Sequence, residues 1–366
     1  MLLVRLDNLG DVLMTTPALA AVREALPEAH LALLAAPSAQ ALQPHLPMID
    51  EFIGFHASWV KAGAAALDGG LRLALPPPPG RGEAERQMLQ QLMEARFDAA
   101  ILFTVSTQSA LPAALLCRMA GIPLVLAHTR ERAYGLLSDA IPERDEIAPG
   151  MRHEVRRQLD LVAQVGLRTA DERLRLRLRD QDRAAARDAL RAAGIVEGRD
   201  YVLVHPGASA PSRRYPAALF GRAADLMQAD AAVPAPAIVF CGGPGEDVLM
   251  HEARAAMRGP SVELPPTLKL GTLAALIAGA RVLVANNSGP VHLAAAVGTP
   301  VVDLYALTNP QHTPWQVPAR VLNCDVPCRN CQQSVCPQAH HLCLRGVEPH
   351  EVAEAARELM AVKEPA

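Results

Sequence analysis

Short apolar runs alternate with helical stretches through both halves of this sequence, and that alternation constrains its fold more than any other feature. "MLLVRL" reads as a strand and "TPALAAVREALP" as the helix after it, with Pro17 near the first turn. "HLALLAA", "FDAAILFTV" and "PLVLAH" follow as strands, with "QSALPAALLCRMAG" as a helix between the last two. "LALPPPPGRGEAE" reads as a loop, because four consecutive prolines fit neither a helix interior nor a central strand. "RHEVRRQLDLVAQVG" has helical period and ends at Gly166. "DERLRLRLRDQDRAAARDALRAAG" runs from a short alternating strand into a charged helix. The second half repeats the logic: strands at "YVLVH", "APAIVF", "RVLVAN" and "PVVDLY", with helices at "YPAALFGRAADLMQAD", "TLAALIAGA", "VHLAAAVG" and "PHEVAEAARELMAV". Tandem β–α–β halves predict an α/β chain of two Rossmann-like lobes, each with a parallel sheet facing a central cleft.

The 366 residues accommodate two such lobes. The expected division is 1–175 for the N-terminal lobe, 176–345 for the C-terminal lobe and 346–366 for a final helix. A net charge of -3 gives no reason to expect nucleic acid. No apolar run is long enough to span a bilayer, and "MLLVRLDNLGD" lacks the parts of a signal peptide. A cytoplasmic protein is expected, with peripheral contact at the inner membrane left open.

Ligands of open parallel sheets sit beyond the carboxyl ends of the strands, so the strand-ending turns hold the candidate chemistry. In "RLDNLGDVL", Gly10 allows a sharp turn and Asp11 sits at the strand-to-helix handover, as a helix cap or a general base. Asp7 competes for either role. In "HPGASAPSRRYP" an open turn precedes Arg213 and Arg214, whose guanidinium groups suit phosphate oxygens. "CGGPGED" permits close backbone approach, with Glu246 able to accept hydrogen bonds from a base or a sugar hydroxyl. "ANNSGPVHLAAAVG" ends a strand and opens a helix whose N–H groups and dipole favour an anion. There, Ser288 and Gly289 admit a diphosphate, Asn286 or Asn287 can cap the helix or bond a sugar, and His292 lies one turn in.

Taken in order, "RLDNLGDVLMTTPALAAVR", "VHPGASAPSRRYP", "LAALIAGARVLVANNSGPVHLAAAVGTPVVDLYALTNP" and the Cys-rich tail resemble glycosyltransferase family 9, the bacterial ADP-heptose:lipopolysaccharide heptosyltransferases and their relatives. The resemblance implies a GT-B fold. The C-terminal lobe would bind the nucleotide-sugar donor, the N-terminal lobe a lipid-linked or oligosaccharide acceptor, and the final helix would cross back to the N-terminal lobe. It implies an inverting reaction that needs no cofactor, with Asp11 as the base. It also implies a donor site of Ser209, Arg213, Glu246, Asn287, Ser288, Gly289 and His292. Arg213 stands where many relatives have Lys, and Asn287 where the family's motif has Asp. A nucleotide-sugar 2-epimerase on the same fold, or a non-catalytic nucleotide-sugar-binding protein, are the alternatives.

Five of the 7 cysteines, Cys324, Cys328, Cys331, Cys336 and Cys343, crowd into residues 324–343 with His340 and His341 among them. A structural zinc ion, an iron–sulfur cluster, disulfides and free thiols all fit that density. Cys117 and Cys241 sit alone in apolar surroundings and read as buried thiols.

Overall fold

A computed structural model describes residues 1–60, 82–148, 150–229 and 235–362. It divides into two compact units, Met1–Asp145 with Glu154–Glu172, and Glu146–His153 with Arg173–Ala366.

The first unit runs β1 (Leu2–Arg5), α1 (Leu9–Ala25), β2 (Ala32–Ala35), β3 (Glu51–Gly54), α2 (Glu83–Ala95), β4 (Ala99–Leu102), α3 (Leu111–Met119), β5 (Leu124–Thr129), β6 (Asp139–Pro142) and α4 (Glu154–Ala163). The second continues with α5 (Asp180–Ala192), β7 (Tyr201–His205), α6 (Ala217–Ala229), β8 (Ala237–Phe240), α7 (Asp247–Ala255), β9 (Ser261–Glu263), α8 (Leu270–Gly279) and β10 (Val282–Asn286). It closes with α9 (Gly289–Val297), β11 (Val301–Leu304), β12 (Ala319–Leu322), α10 (Leu342–Arg345) and α11 (Pro349–Val362). Both sheets have six strands, ordered β3-β2-β1-β4-β5-β6 and β12-β11-β10-β7-β8-β9. Every pairing is parallel. Counted within its own unit, each sheet follows the same order, so the connections change direction between β1 and β4 and between β7 and β10. Such switch points are where ligands enter doubly wound sheets. Strands β7 and β10 are buried along their whole length, as apolar strands covered on both faces must be.

Several expectations need correction. Helix α1 starts at Leu9, so Gly10 lies within it and makes no sharp turn, and Pro17 sits in its middle. Pro17 has no N–H for the Leu13 carbonyl, and Thr16 Oγ1 donates to that carbonyl at 2.6 Å instead. The proline run 76–79 lies outside the described residues, but the loop expected to continue to Glu85 ends earlier, because α2 begins at Glu83. No strand forms in "RLRLRL", of whose leucines only Leu174 is fully buried; without a neighbouring strand to pair with, alternation alone makes no ladder. Helix α11 is assigned to the second unit. Its apolar side, with Val352, Ala353, Ala356 and Leu359, is used up in the core it shares with α6 and β10–β12. Among the described residues no helix is long and apolar enough to cross a membrane.

Candidate functional site

In the first unit the chemistry gathers around one arginine. Arg5 ends β1 with no exposed surface. Its guanidinium lies 2.8 Å from Glu154, 3.1 Å from Asp7 and 3.5 Å from Asp11. Burial alone would lower the pKa of Arg5, but Glu154, Asp7 and Asp11 outweigh it and hold the group above its ordinary value. Burial keeps Asp7 above the usual carboxylate range, against the pull of Arg5. Asp7 also accepts from Gln108 Nε2 at 2.6 Å. Asp11 is held at both oxygens: Oδ1 faces Arg5, and Oδ2 accepts the Asn8 N–H at 3.1 Å, as the acidic half of a capping box. The capping reading of Asp11 and the general-base reading are therefore compatible, because its side chain keeps 14% exposure. Beside Gln108, at the carboxyl ends of β1 and β4, a cavity of about 240 Å³ is lined by Trp59, Thr104, Thr107 and Ser109 among apolar neighbours.

In the second unit the candidate residues converge on the carboxyl ends of β7, β8, β10 and β11. Ser209 is exposed on the turn after β7. Arg213 closes a short 3-10 turn, Pro211–Arg213, where its N–H donates to the Ala210 carbonyl; it is half-buried, and its guanidinium has no hydrogen bond or carboxylate partner among the described residues. Its charge nonetheless opposes the burial-driven rise of Asp303 and Tyr305 and adds to the lowering of His292. Arg214, in contrast, is committed to the Ala208 carbonyl at 2.7 Å. Glu246 accepts the Gly243 N–H at 2.7 Å and lies 3.5 Å from His205. Its carboxylate fills the space a Cβ on Gly207 would need, which is why that turn takes glycine.

At the mouth of α9 the two asparagines divide the work. Asn286 is fully buried and structural: it accepts the Tyr215 N–H and donates to the Pro206 carbonyl. Asn287 Nδ2 donates to Asp303 Oδ2 and to the His312 carbonyl, both at 2.9 Å. That nitrogen thus serves the interior and is not offered to a sugar. Ser288 is the N-cap residue, and Gly289 and Pro290 open the helix. His292 is buried, and burial, with His312, His153 and Arg213 around it, pushes its pKa down to about 3. It is a neutral imidazole whose Nδ1 has no partner among the described residues. Asp303, beside Asn287 across the β10–β11 pairing, is fully buried; burial pushes it up to about 8 and its Oδ1 has no partner among the described residues.

The Cys-rich segment clamps the Arg213 turn. Ser212 N–H donates to the Ser334 carbonyl, Ser212 Oγ to the Gln333 carbonyl, and His341 Nε2 lies 2.7 Å from the Ser212 carbonyl. All five cysteines of the segment are unbridged. No group of three Cys, His, Asp or Glu among the described residues is already set to hold a metal ion. A larger cavity, about 370 Å³, lies at the opposite ends of β7 and β10, by Asp200, Tyr201 and Arg281, and touches none of these residues.

Sequence reasoning missed Arg5, Glu154, Gln108 and Asp303. For Arg5 and Asp303 a signal existed: a lone charge near the carboxyl end of an otherwise apolar strand.

Comparisons with known proteins point one way. The profile of glycosyltransferase family 9 (heptosyltransferase) matches residues 85–341. Lipooligosaccharide heptosyltransferase 2 of Campylobacter jejuni is 28% identical over 169 residues, 44% of this chain and 52% of that protein. The chain thus spans about half the length of that relative. Lipopolysaccharide heptosyltransferase 2 of Escherichia coli is 27% identical over 305 residues, 80% of this chain and 84% of that one. The solved structure of E. coli ADP-heptose LPS heptosyltransferase II superposes with a TM-score of 0.72 at 22% identity, covering 100% of this chain and 99% of the other. That likeness identifies the fold as GT-B.

Proposed function

This chain belongs to glycosyltransferase family 9, and we propose that it moves heptose from ADP-heptose to a lipopolysaccharide-core-type saccharide, inverting the anomeric centre. The guanidinium of Arg213 carries this reading: it has no partner among the described residues, its charge reaches His292 in the first turn of α9, and its turn is tied to the end of β10 by the Tyr215–Asn286 bond. The guanidinium and the helix N-terminus are both suited to a diphosphate, and an arginine left unpaired there gains its partner when an anion binds. ADP-heptose is favoured because the solved E. coli relative is an ADP-heptose enzyme.

Asp11 takes the proton from an acceptor hydroxyl. The freed oxygen attacks the anomeric carbon, and the bond from that carbon to the diphosphate oxygen breaks on the opposite face. Charge growing on the ADP is met by Arg213 and by the N–H groups at Ser288 and Gly289. Arg5 and the Asn8 N–H fix the orientation of Asp11. A base that needs no reorientation at the moment of reaction works faster. Ser209 and Glu246 border the donor, and His292 meets it as a neutral hydrogen-bonding group. The Trp59 cavity takes the acceptor sugar, with an aromatic wall and neutral hydroxyl and amide groups. The reaction proceeds without a catalytic cofactor, because base and diphosphate clamp are side chains and backbone of the chain itself. A lipid-linked acceptor places the work at the cytoplasmic face of the inner membrane, by peripheral contact.

Isothermal titration with ADP, UDP and GDP, then with their sugar conjugates, tests the donor. Preference for ADP and ADP-heptose is expected; selective binding of UDP or GDP would remove the heptose assignment. Asp11→Ala should abolish transfer while ADP affinity stays within about twofold, since its carboxylate belongs to the other unit's chemistry. Transfer that survives the substitution would refute the base.

A further inference from the structure

The structure separates the five clustered cysteines into four and one. Cys328, Cys331, Cys336 and Cys343 line a single small cavity together with Ser212 and Thr308. Cys324 is absent from that lining. Its sulfur packs toward Gly346. The four thiols that share the cavity are unbridged, and four soft sulfur donors around one small space are a set that a soft cation would complete.

Each nearby imidazole has one ring nitrogen engaged. His341 Nε2 faces the Ser212 carbonyl, and His340 Nδ1 accepts the Leu342 N–H. Arg329 on the cavity wall is paired with Asp325. The backbone supplies an independent observation. Asn330, Gln332, Ala339 and His341 all take positive φ, between 52° and 59°, in one stretch of non-glycine residues. Left-handed conformations at such residues persist only where the surroundings over-determine them. The segment has one short helix, α10, among the described residues.

From this arrangement we infer that Cys328, Cys331, Cys336 and Cys343 form a tetrathiolate site for a soft divalent ion of the zinc class, which braces the Ser212–Arg213 turn. The donor set fits: four thiolates and no obligatory fifth ligand suit a closed tetrahedral structural site. As placed, the thiols stand apart, so loading draws them together around the ion. The brace runs through the three bonds that Ser212 makes with Gln333, Ser334 and His341, one residue from Arg213. The metal does no chemistry on substrate. The site itself stands apart from the functional reading; its coupling to Arg213 rests on that reading.

The full-length chain, stripped with a chelator under reducing conditions, is titrated with Co²⁺ as a spectroscopic probe. One equivalent should produce sulfur-to-cobalt charge-transfer absorption with tetrahedral ligand-field bands, and Zn²⁺ should displace it. Cys331→Ser and Cys336→Ser should each weaken the thiolate absorption, and Cys324→Ser should leave it intact. Absence of thiolate absorption, or its dependence on Cys324 in place of Cys336, overturns the site. Should the serine variants not fold, sulfur coordination number from X-ray absorption of the zinc-loaded chain decides the same question: four supports the site, two or fewer refutes it. Loss of the metal should also weaken ADP binding about tenfold, as a coupling of ordinary size would. Equal ADP affinity with and without zinc overturns the brace. If neither form binds ADP, the donor reading and the brace that depends on it both fail, while the cobalt spectrum still judges the site.

Discussion

Asp303→Asn is the perturbation whose outcome the structure fixes most sharply. Asp303 is fully buried in β11 and burial pushes its pKa from 3.8 to about 8, against opposing pulls from Asn287 and Arg213. The sign follows from proton counts. Between about pH 4 and pH 8 the unfolded chain gives this proton up while the folded chain keeps it. Folded stability therefore falls as pH rises through that window, by about 1.4 kcal/mol per pH unit and about 6 kcal/mol in full. Asparagine has the same shape, can still accept the Asn287 Nδ2 bond, and does not ionise. Its stability advantage over the natural chain should thus grow by about 3 kcal/mol between pH 5 and pH 7. Urea unfolding in a Trp59→Phe background reads this out, because Trp315 then reports on the second unit alone, where it packs on His153. Subtracting one variant from the other cancels every other titrating group. A difference that stays constant or shrinks from pH 5 to pH 7 would refute a protonated Asp303.

Arg213→Gln should raise the donor KM by about ten- to a hundredfold, the loss of one charge-assisted diphosphate contact, with little effect on thermal unfolding because the Arg213 guanidinium has no partner to lose among the described residues. Thr16→Val should destabilise the first unit by about 1 to 2 kcal/mol, since the Leu13 carbonyl that Pro17 releases then loses its hydroxyl donor; calorimetry checks it. Gly207→Ala should displace the Glu246 carboxylate and weaken donor binding in the same titration that tests the wild type, while Asp11-dependent chemistry in the other unit is untouched.

The strands that were legible in the sequence are the central ones. Leu2–Arg5, Tyr201–His205 and Val282–Asn286 are buried on both faces and read as unbroken apolar runs. The four strands missed, "EFIG", "DAIP", "SVE" and "ARVL", are the outer strands of the two sheets. An edge strand has one neighbour and a half-exposed surface, so it tolerates Glu, Asp and even Pro142, and its pattern dissolves into the loops around it. The candidate site divides in the same way. Turns after central strands were visible because small and polar residues interrupt an apolar run, and this located Asp11, Arg213, Glu246 and the α9 mouth. What those side chains touch was not visible. That Asn287 Nδ2 turns inward to Asp303, that Arg5 joins three carboxylates, and that the Cys-rich segment grips Ser212 all depend on contacts between residues far apart in the chain.

Two sheets with one strand order have an implication for how such a chain can change. Each unit opens the same crevice, between its first and fourth strands. One crevice is stocked with carboxylates around Arg5, the other with an unpaired arginine and a helix mouth. Under the proposed function, proton abstraction and phosphate capture would thereby be written in separate parts of the gene, on copies of one scaffold. A lineage can revise the nucleotide or sugar it accepts by altering residues after β7, β8, β10 and β11 and leave the base's surroundings as they were. It can adopt a new acceptor by editing the turns after β1 and β4 with equal independence.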